Sequence, residues 1–245
     1  MKDIRSILCA VLLLSLAVLS FSACGGRDKT SVTAPAGASS GERSDEDASS
    51  GSASSGAAVD ATALIAEKAE KYKDVQDPIA VLVMESGECI VIELYKNVAP
   101  QTVKNFITLT DQGFYDGLTF HRIDPNFMIQ GGDPEGTGYG GPGYEIFGEF
   151  SSNGFKNDLS HTRGVVSMAR RSNGPNTGGS QFFIVVRDST YLDGDYAAFG
   201  EVLEGMDVVD GIASAPTGGS RGETPLTPRV MQTVRIAEQG SIHGE

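Results

Sequence analysis

From Pro78 onward the chain is cut into short apolar runs, each stopped by glycine, proline or a small polar cluster, and only two stretches carry a helical period. The runs Ile79–Met84 and Cys89–Leu94 flank Glu85-Ser86-Gly87-Glu88, which is the pattern of a hairpin. Residues 164–169, 181–186, 197–202 and 229–237 read as further strands. Residues 99–112 read as a helix, with Pro100 early, Val103, Phe106, Ile107 and Leu109 as its apolar stripe, and Gly113 as its stop. Residues 204–213 read as a second helix. Many short strands with two helices indicate an all-β barrel or sandwich.

Residues 120–133 carry the densest chemistry. Leu118, Phe120 and Arg122 alternate with Thr119, His121 and Ile123, so a strand is predicted, followed by a turn at Asp124-Pro125-Asn126. A second run, Phe127-Met128-Ile129, ends at Gly131-Gly132. Alternation places Arg122 on the face of Phe120 and Met128 on the face of Gln130. His121 is then expected to point away from Arg122, as a structural histidine. A guanidinium, an amide and bulky apolar groups on one surface suit a ligand that is greasy yet carries a carbonyl.

The chain before Pro78 has a different character. Lys2 and Arg5 precede an apolar run, residues 7–19, which is shorter than the ~20 residues of a membrane span. It ends at Phe21-Ser22-Ala23-Cys24-Gly25, which resembles a bacterial lipoprotein box. Residues 1–23 are therefore read as a lipoprotein signal peptide, with Cys24 as the lipidation site that anchors an exported protein to a bacterial membrane; Phe21 stands where such a box usually has Leu, and an ordinary secretory signal cut nearby is the alternative. Residues 24–59 are Ser, Gly, Ala, Thr and acidic residues with too little apolar area to offset chain entropy. They are expected to form a disordered tether with a typical end-to-end distance of ~35 Å. Residues 60–77 are expected to hold a short lead-in helix, capped by Asp60 and striped by Leu64, Ile65, Ala69 and Tyr72. Residues 78–240 form the folded domain. Only Cys89 of the three cysteines lies in it, so no internal disulfide is expected, and Cys89 reads as a small strand residue.

Several chemistries are excluded. A formal net charge of −13 disfavours nucleic acid, whose binding depends on neutralising phosphates. Gly136-x-Gly138-x-x-Gly141 matches a dinucleotide fingerprint as a string, but Pro142-Gly143 follows where a helix is needed. His121, His161 and His243 have no partner at metal spacing, so neither metal nor cofactor is expected. The segment Gly178-Gly179-Ser180-Gln181 lacks the pattern of a nucleophile elbow, so hydrolysis has no visible machinery.

The segments Ser167-Met168-Ala169 and Gly174-Pro175-Asn176-Thr177-Gly178-Gly179-Ser180-Gln181-Phe182-Phe183-Ile184, with residues 120–133, Phe147-x-Glu149-Phe150, Tyr191-Leu192-Asp193-Gly194 and Phe199-Gly200, closely resemble the cyclophilins. The resemblance runs from about Pro78 to Gln239. It implies a closed eight-stranded antiparallel β-barrel capped by two α-helices, with a peptidyl-prolyl cis–trans isomerase site on its outer surface. Arg122 matches the catalytic arginine. Phe127, Met128, Phe183 and Leu192 match the proline pocket, and Gln130 and Gln181 match amides that contact the substrate. Ala169 matches the residue before the stretch that pairs with bound peptide; residues 170–174, which follow it, are longer and more basic than the compact eukaryotic form. Tyr191 replaces a frequent tryptophan, which should weaken cyclosporin-type inhibitors more than turnover. Tyr196 stands where many relatives have histidine, which bears on one pocket-wall hydrogen bond. The implied partners are proline-containing polypeptides; the oligomeric state is left open by the sequence, with a monomer as the default expectation. A prolyl-peptide-binding chaperone or adaptor without catalysis is the alternative on the same scaffold.

Overall fold

A computed structural model describes residues 60–237. The signal peptide (1–23), the Cys24 lipidation site, the tether (24–59) and the domain's last three residues fall outside the described residues.

Helix α1 (Ala61–Lys71) starts where Asp60 caps it, Oδ1 accepting from the Thr62 and Ala63 N–H groups at 3.0 and 3.3 Å. Strands β1 (Ile79–Met84) and β2 (Cys89–Leu94) form the expected hairpin, and α2 (Pro100–Asp111) follows. Next come β3 (Arg122–Ile123), β4 (Met128–Gly131), β5 (Val165–Met168), β6 (Phe182–Val185) and β7 (Ala197–Glu204). The chain ends with α3 (Met206–Ala213), the small hairpin β8 (Thr217–Gly218) and β9 (Thr224–Pro225), and β10 (Met231–Ala237).

Eight strands make one antiparallel sheet in the order β10-β1-β2-β7-β5-β6-β4-β3. It curls around a core in which the rings of Phe106 and Tyr115 stack at 4.9 Å and Phe182 meets both edge-on at 5.4 and 5.7 Å. Helix α2 packs on β10 and β7, and α3 on β2 and β4.

The expected closed barrel is not realised. At its two edges the segment before β3 meets the start of β10 through the isolated bridge Thr119–Val230, with Gly117 N–H donating to Met231, Met231 N–H to Leu118 and Phe120 N–H to Arg229, and no ladder joins β10 to β3. Two features go with the open seam. Strand β3 is only two residues long, and Pro228, just before β10, has no N–H to give a ladder. The result is an open, curled half-barrel.

Strand β1 is apolar at every position because both its faces are covered. Ala80, Leu82 and Met84 face the main core, whereas Ile79, Val81 and Val83 face Leu64, Ile65, Ala69 and Tyr72 on the α1 side. Cys89 lies half-buried in this outer layer, and burial pushes its thiol pKa up.

A carboxylate latch pins α1. Glu204 accepts from Lys68 Nζ at 2.8 Å, Lys71 Nζ at 2.6 Å and the Tyr72 hydroxyl at 3.0 Å. The hydrogen bonds from Lys68 and then Lys71 bring the Glu204 pKa down from 4.5 to about 2. A depressed carboxyl stabilises the fold above its unfolded value, and that contribution is lost as pH falls from about 4.5 through about 2. Glu204→Gln mimics the protonated latch. At neutral pH it is expected to speed amide hydrogen exchange in residues 61–71 and leave β5 and β6 unchanged; equal exchange in both proteins would rule the latch out.

Candidate active site

The site starts at the β3–β4 hairpin. The Asp124 side chain accepts from Asn126 N–H at 2.8 Å and its carbonyl from Phe127 N–H at 3.0 Å, which sets the predicted turn. Arg122 then pairs with Gln130 and Ile123 with Ile129. Ile123 and Ile129 enter the main core, so Arg122, Met128 and Gln130 face outward. On the other side of β4, Gln130 pairs with Phe183 of β6. A side chain at Gly132 (φ 82) would run into the Ser180 carbonyl, so glycine is needed where these strands approach.

Outside the sheet, Met128, Phe183, Val185 and Leu192 form a second apolar cluster with Phe127, Ala169 and Tyr196. It floors a hollow of about 490 Å³ lined by Arg122, Phe127, Met128, Gln130, Ala169, Phe183, Leu192 and Tyr196. Two sequence-predicted residues lie elsewhere. Gln181 faces an adjoining hollow of about 620 Å³. Tyr191 stands on the rim, 70% exposed, its ring 6.0 Å from that of Phe127. Tyr139, 81% exposed in the glycine loop, lines both hollows, as do Ala169 and Arg170.

Two expectations about facing are overturned. Phe120 is in the main core, not beside Arg122, and His121 lines the Arg122 hollow instead of pointing away. Period-two alternation needs a continuous strand, and β3 begins only at Arg122. The His121 ring nitrogens are buried and make no hydrogen bond of good geometry, the Thr119 backbone being the group they approach. Burial pushes its pKa below the ordinary 6.5, Asp133 opposing, so the ring is neutral beside Arg122.

Arg122 is held on both sides. Its Nε and Nη2 donate to Glu223 Oε2 and Oε1 at 3.0 and 2.9 Å, a two-point ion pair. Its Nη1 donates to Gln130 Oε1 at 3.3 Å, and its guanidinium carbon sits 5.8 Å from the centre of the Phe127 ring. The pair is partly solvated, with side chains 34% and 23% exposed, and it holds the guanidinium at the hollow instead of drawing it away. The Arg122 hydrogen bonds keep the Glu223 carboxyl below the usual glutamate range. Gln130 Nε2 in turn donates to Gln181 Oε1 at 2.8 Å, and Gln181 Nε2 to the Gly140 carbonyl at 2.8 Å. One polar relay thus crosses the site from the β8–β9 hairpin to the glycine loop.

Behind the apolar floor lies a group that spacing did not suggest. His161 Nδ1 is 2.8 Å from Asp193 Oδ1 and its Nε2 is 2.9 Å from Ser167 Oγ. These are triad distances, but Ser167 and His161 are sealed from solvent, so no substrate reaches the hydroxyl. The His161 ring instead lies nearly parallel to Phe183, centroids 6.1 Å apart, and braces the floor. Burial lowers its pKa against the pull of Asp193, which leaves it neutral.

The arrangement offers a permanent cation and two amides beside a hollow with an apolar floor. Among the described residues no group of three or more His, Cys, Asp or Glu could hold a metal ion.

Comparison with known proteins bears on this geometry. Residues 80–240 match the family described as cyclophilin type peptidyl-prolyl cis-trans isomerase/CLD. Peptidyl-prolyl cis-trans isomerase-like 1 of Aspergillus oryzae is 43% identical over 150 residues, covering 61% of this chain and 89% of that protein. Peptidyl-prolyl cis-trans isomerase B of Bacillus subtilis is 49% identical over 124 residues, 51% of this chain and 82% of that one. The crystal structure of a cyclophilin type isomerase from Cryptosporidium parvum, solved in the presence of the dipeptide Ala-Pro, is 31% identical with a TM-score of 0.59. That likeness covers 65% of this chain and 99% of the other.

Proposed function

The chain belongs to the cyclophilin-type peptidyl-prolyl cis–trans isomerases and is an enzyme, and from that premise we propose that Arg122 is the group that eases the X–Pro bond through its twisted state. The amide resists rotation because its nitrogen lone pair is delocalised into the carbonyl, a barrier of roughly 18–20 kcal/mol. Uncatalysed X–Pro exchange takes on the order of tens to hundreds of seconds. No covalent bond has to break, so the enzyme needs neither general base nor metal. It has only to favour the geometry in which the nitrogen regains its lone pair.

A guanidinium stays protonated at any relevant pH, and it can donate to that nitrogen or polarise the rotating carbonyl. The hollow of Met128, Phe183 and Leu192 takes the proline ring, while Gln130 and Gln181 contact the substrate backbone. Low polarity around the ring strengthens the Arg122 contact. Lowering the barrier by ~7 kcal/mol would speed the exchange ~10⁵-fold. The observation that carries this reading is the guanidinium fixed beside Phe127 and Gln130 at the mouth of the apolar hollow. The Cryptosporidium relative, crystallised in the presence of Ala-Pro, supports proline-containing peptides as the substrate class.

The substrates in this proposal are exported chains, met by a monomer tethered through Cys24. The support is the sequence of residues 1–59 alone. Two measurements test the proposal. Prolyl-peptide exchange catalysed by the full chain should be flat from pH 6 to 9, since no titrating group takes part; a steep step near 7 would put one in the mechanism. Mass spectrometry should find a diacylglyceryl-modified Cys24 at the mature N-terminus, and an unmodified cysteine there would remove the anchor.

A further inference from the structure

The relay begins at a residue that no motif marks. Glu223 lies on the β8–β9 hairpin, 101 residues from Arg122, and is fixed to β3 twice. Its backbone carbonyl accepts from Ile123 N–H at 2.8 Å, so the hairpin docks on the strand that carries Arg122. Its carboxylate then takes the Nε–Nη2 edge of the neighbouring guanidinium at 3.0 and 2.9 Å.

This division of the guanidinium is selective. Arginine is a planar fork of fixed geometry, so a carboxylate that holds one edge fixes the direction of the other. The remaining terminal nitrogen, Nη1, is steered to Gln130 and the hollow, and one N–H on each terminal nitrogen is left uncommitted. Without that grip, a half-exposed arginine at a groove mouth would spread over many rotamers. Reaching the twisted amide would then require an ordering step that the paired side chain has already completed.

We propose that Glu223 is a positioning residue of this isomerase: it acts through Arg122, aiming the guanidinium at the prolyl bond, and touches no substrate atom itself. The proposal rests on the reading of Arg122 as the catalytic group. It extends the site to the β8–β9 hairpin, which forms one wall of the hollow through Ser220, Arg221, Glu223 and Thr224.

The test is a double-mutant cycle on the full chain, with kcat and KM for a prolyl peptide measured by NMR exchange. Glu223→Gln keeps the size and the Ile123–Glu223 backbone bond but loses the two-oxygen anion. It is expected to lower kcat about 10- to 100-fold, as misplaced catalytic groups do, with KM within about twofold of wild type. Glu223→Asp should recover part of the loss, and it carries the readout if Glu223→Gln fails to fold. In an Arg122→Ala background, Glu223→Gln should cost nothing further, whereas a purely structural role would cost the same in both backgrounds. Wild-type kcat in Glu223→Gln, equal cost in both backgrounds, or a faster enzyme would each overturn the positioning role; a faster enzyme would mean that the carboxylate competes with substrate. Full activity in Arg122→Ala alone would instead overturn the underlying reading of Arg122.

Discussion

Arg122→Ala should lower kcat/KM for a prolyl peptide by about 10²–10³-fold, the range seen when one preorganised donor is removed from a transition-state site. The thermal midpoint should move little. Arg122 and Glu223 are both partly solvated, and an ion pair of that kind contributes only ~0–1 kcal/mol. Its loss leaves Glu223 with access to water and leaves Gln130 still bonded to Gln181. KM should also change little, because Met128, Phe183 and Leu192 keep the apolar hollow. The effect therefore belongs on kcat, the signature of a contact made in the transition state and not in the ground state. Arg122→Lys should recover only part of the rate, since an ammonium cannot hold Glu223 with one edge and face the substrate with another. The measurement is exchange NMR at saturating peptide, with a melt of each variant. A kcat/KM within threefold of wild type in a folded Arg122→Ala protein would end the assignment of Arg122 as the catalytic group.

How much of this could be read from the sequence depends on how local the cause is. The runs that became β1 and β2 match the structure residue for residue, because strand propensity, apolar content and the Gly87 turn act within a few residues of each other. The residues of the site's apolar floor came from the resemblance of contiguous motifs. Phe127 to Gln130 and Gln181 to Phe183 lie in contiguous motifs, and β4–β6 pairing brings them together. Long-range causes left weaker traces. Phe120 went to the core and His121 to the hollow because a bridge from Val230, far along the chain, governs that segment in place of a regular ladder. The open seam goes with what Pro228 denies to a partner edge, and such a loss has no local pattern. Glu223 sits in Ser220-Arg221-Gly222-Glu223-Thr224, which reads as a solvated loop; only the docking of that hairpin on β3 gives its charge a partner.

Glu149→Ala is expected to be the most damaging change to stability away from the apolar core. The motif Phe147-x-Glu149-Phe150 identifies the residue, but the fold supplies its task. Helix α2 starts at Ala99, which has no side-chain oxygen to cap with, and Pro100 has no N–H. Glu149 takes the place of a local cap from 48 residues away: Oε1 accepts from Gln101 N–H at 2.9 Å, and Oε2 from Thr102 N–H at 2.8 Å and the Thr102 hydroxyl at 2.7 Å. The residue is 2% exposed, so water cannot readily replace it. Alanine would leave these donors unpaired, at about 1–3 kcal/mol for each buried one, and would remove an anion from the positive end of the helix dipole. A loss of ~2 kcal/mol or more follows, a large part of the ~5–15 kcal/mol that a domain has in total. Glutamine should be intermediate, because one oxygen can still accept while its amide nitrogen faces a donor. The consequence reaches the site through Asn105 of α2, whose Nδ2 donates to the Gly179 carbonyl at 2.7 Å and so holds the approach to Gln181. Urea melts should show a lower midpoint at unchanged slope, with activity falling in step with the folded fraction and kcat per folded molecule nearly preserved. A midpoint within error of wild type would mean that α2 can begin without Glu149.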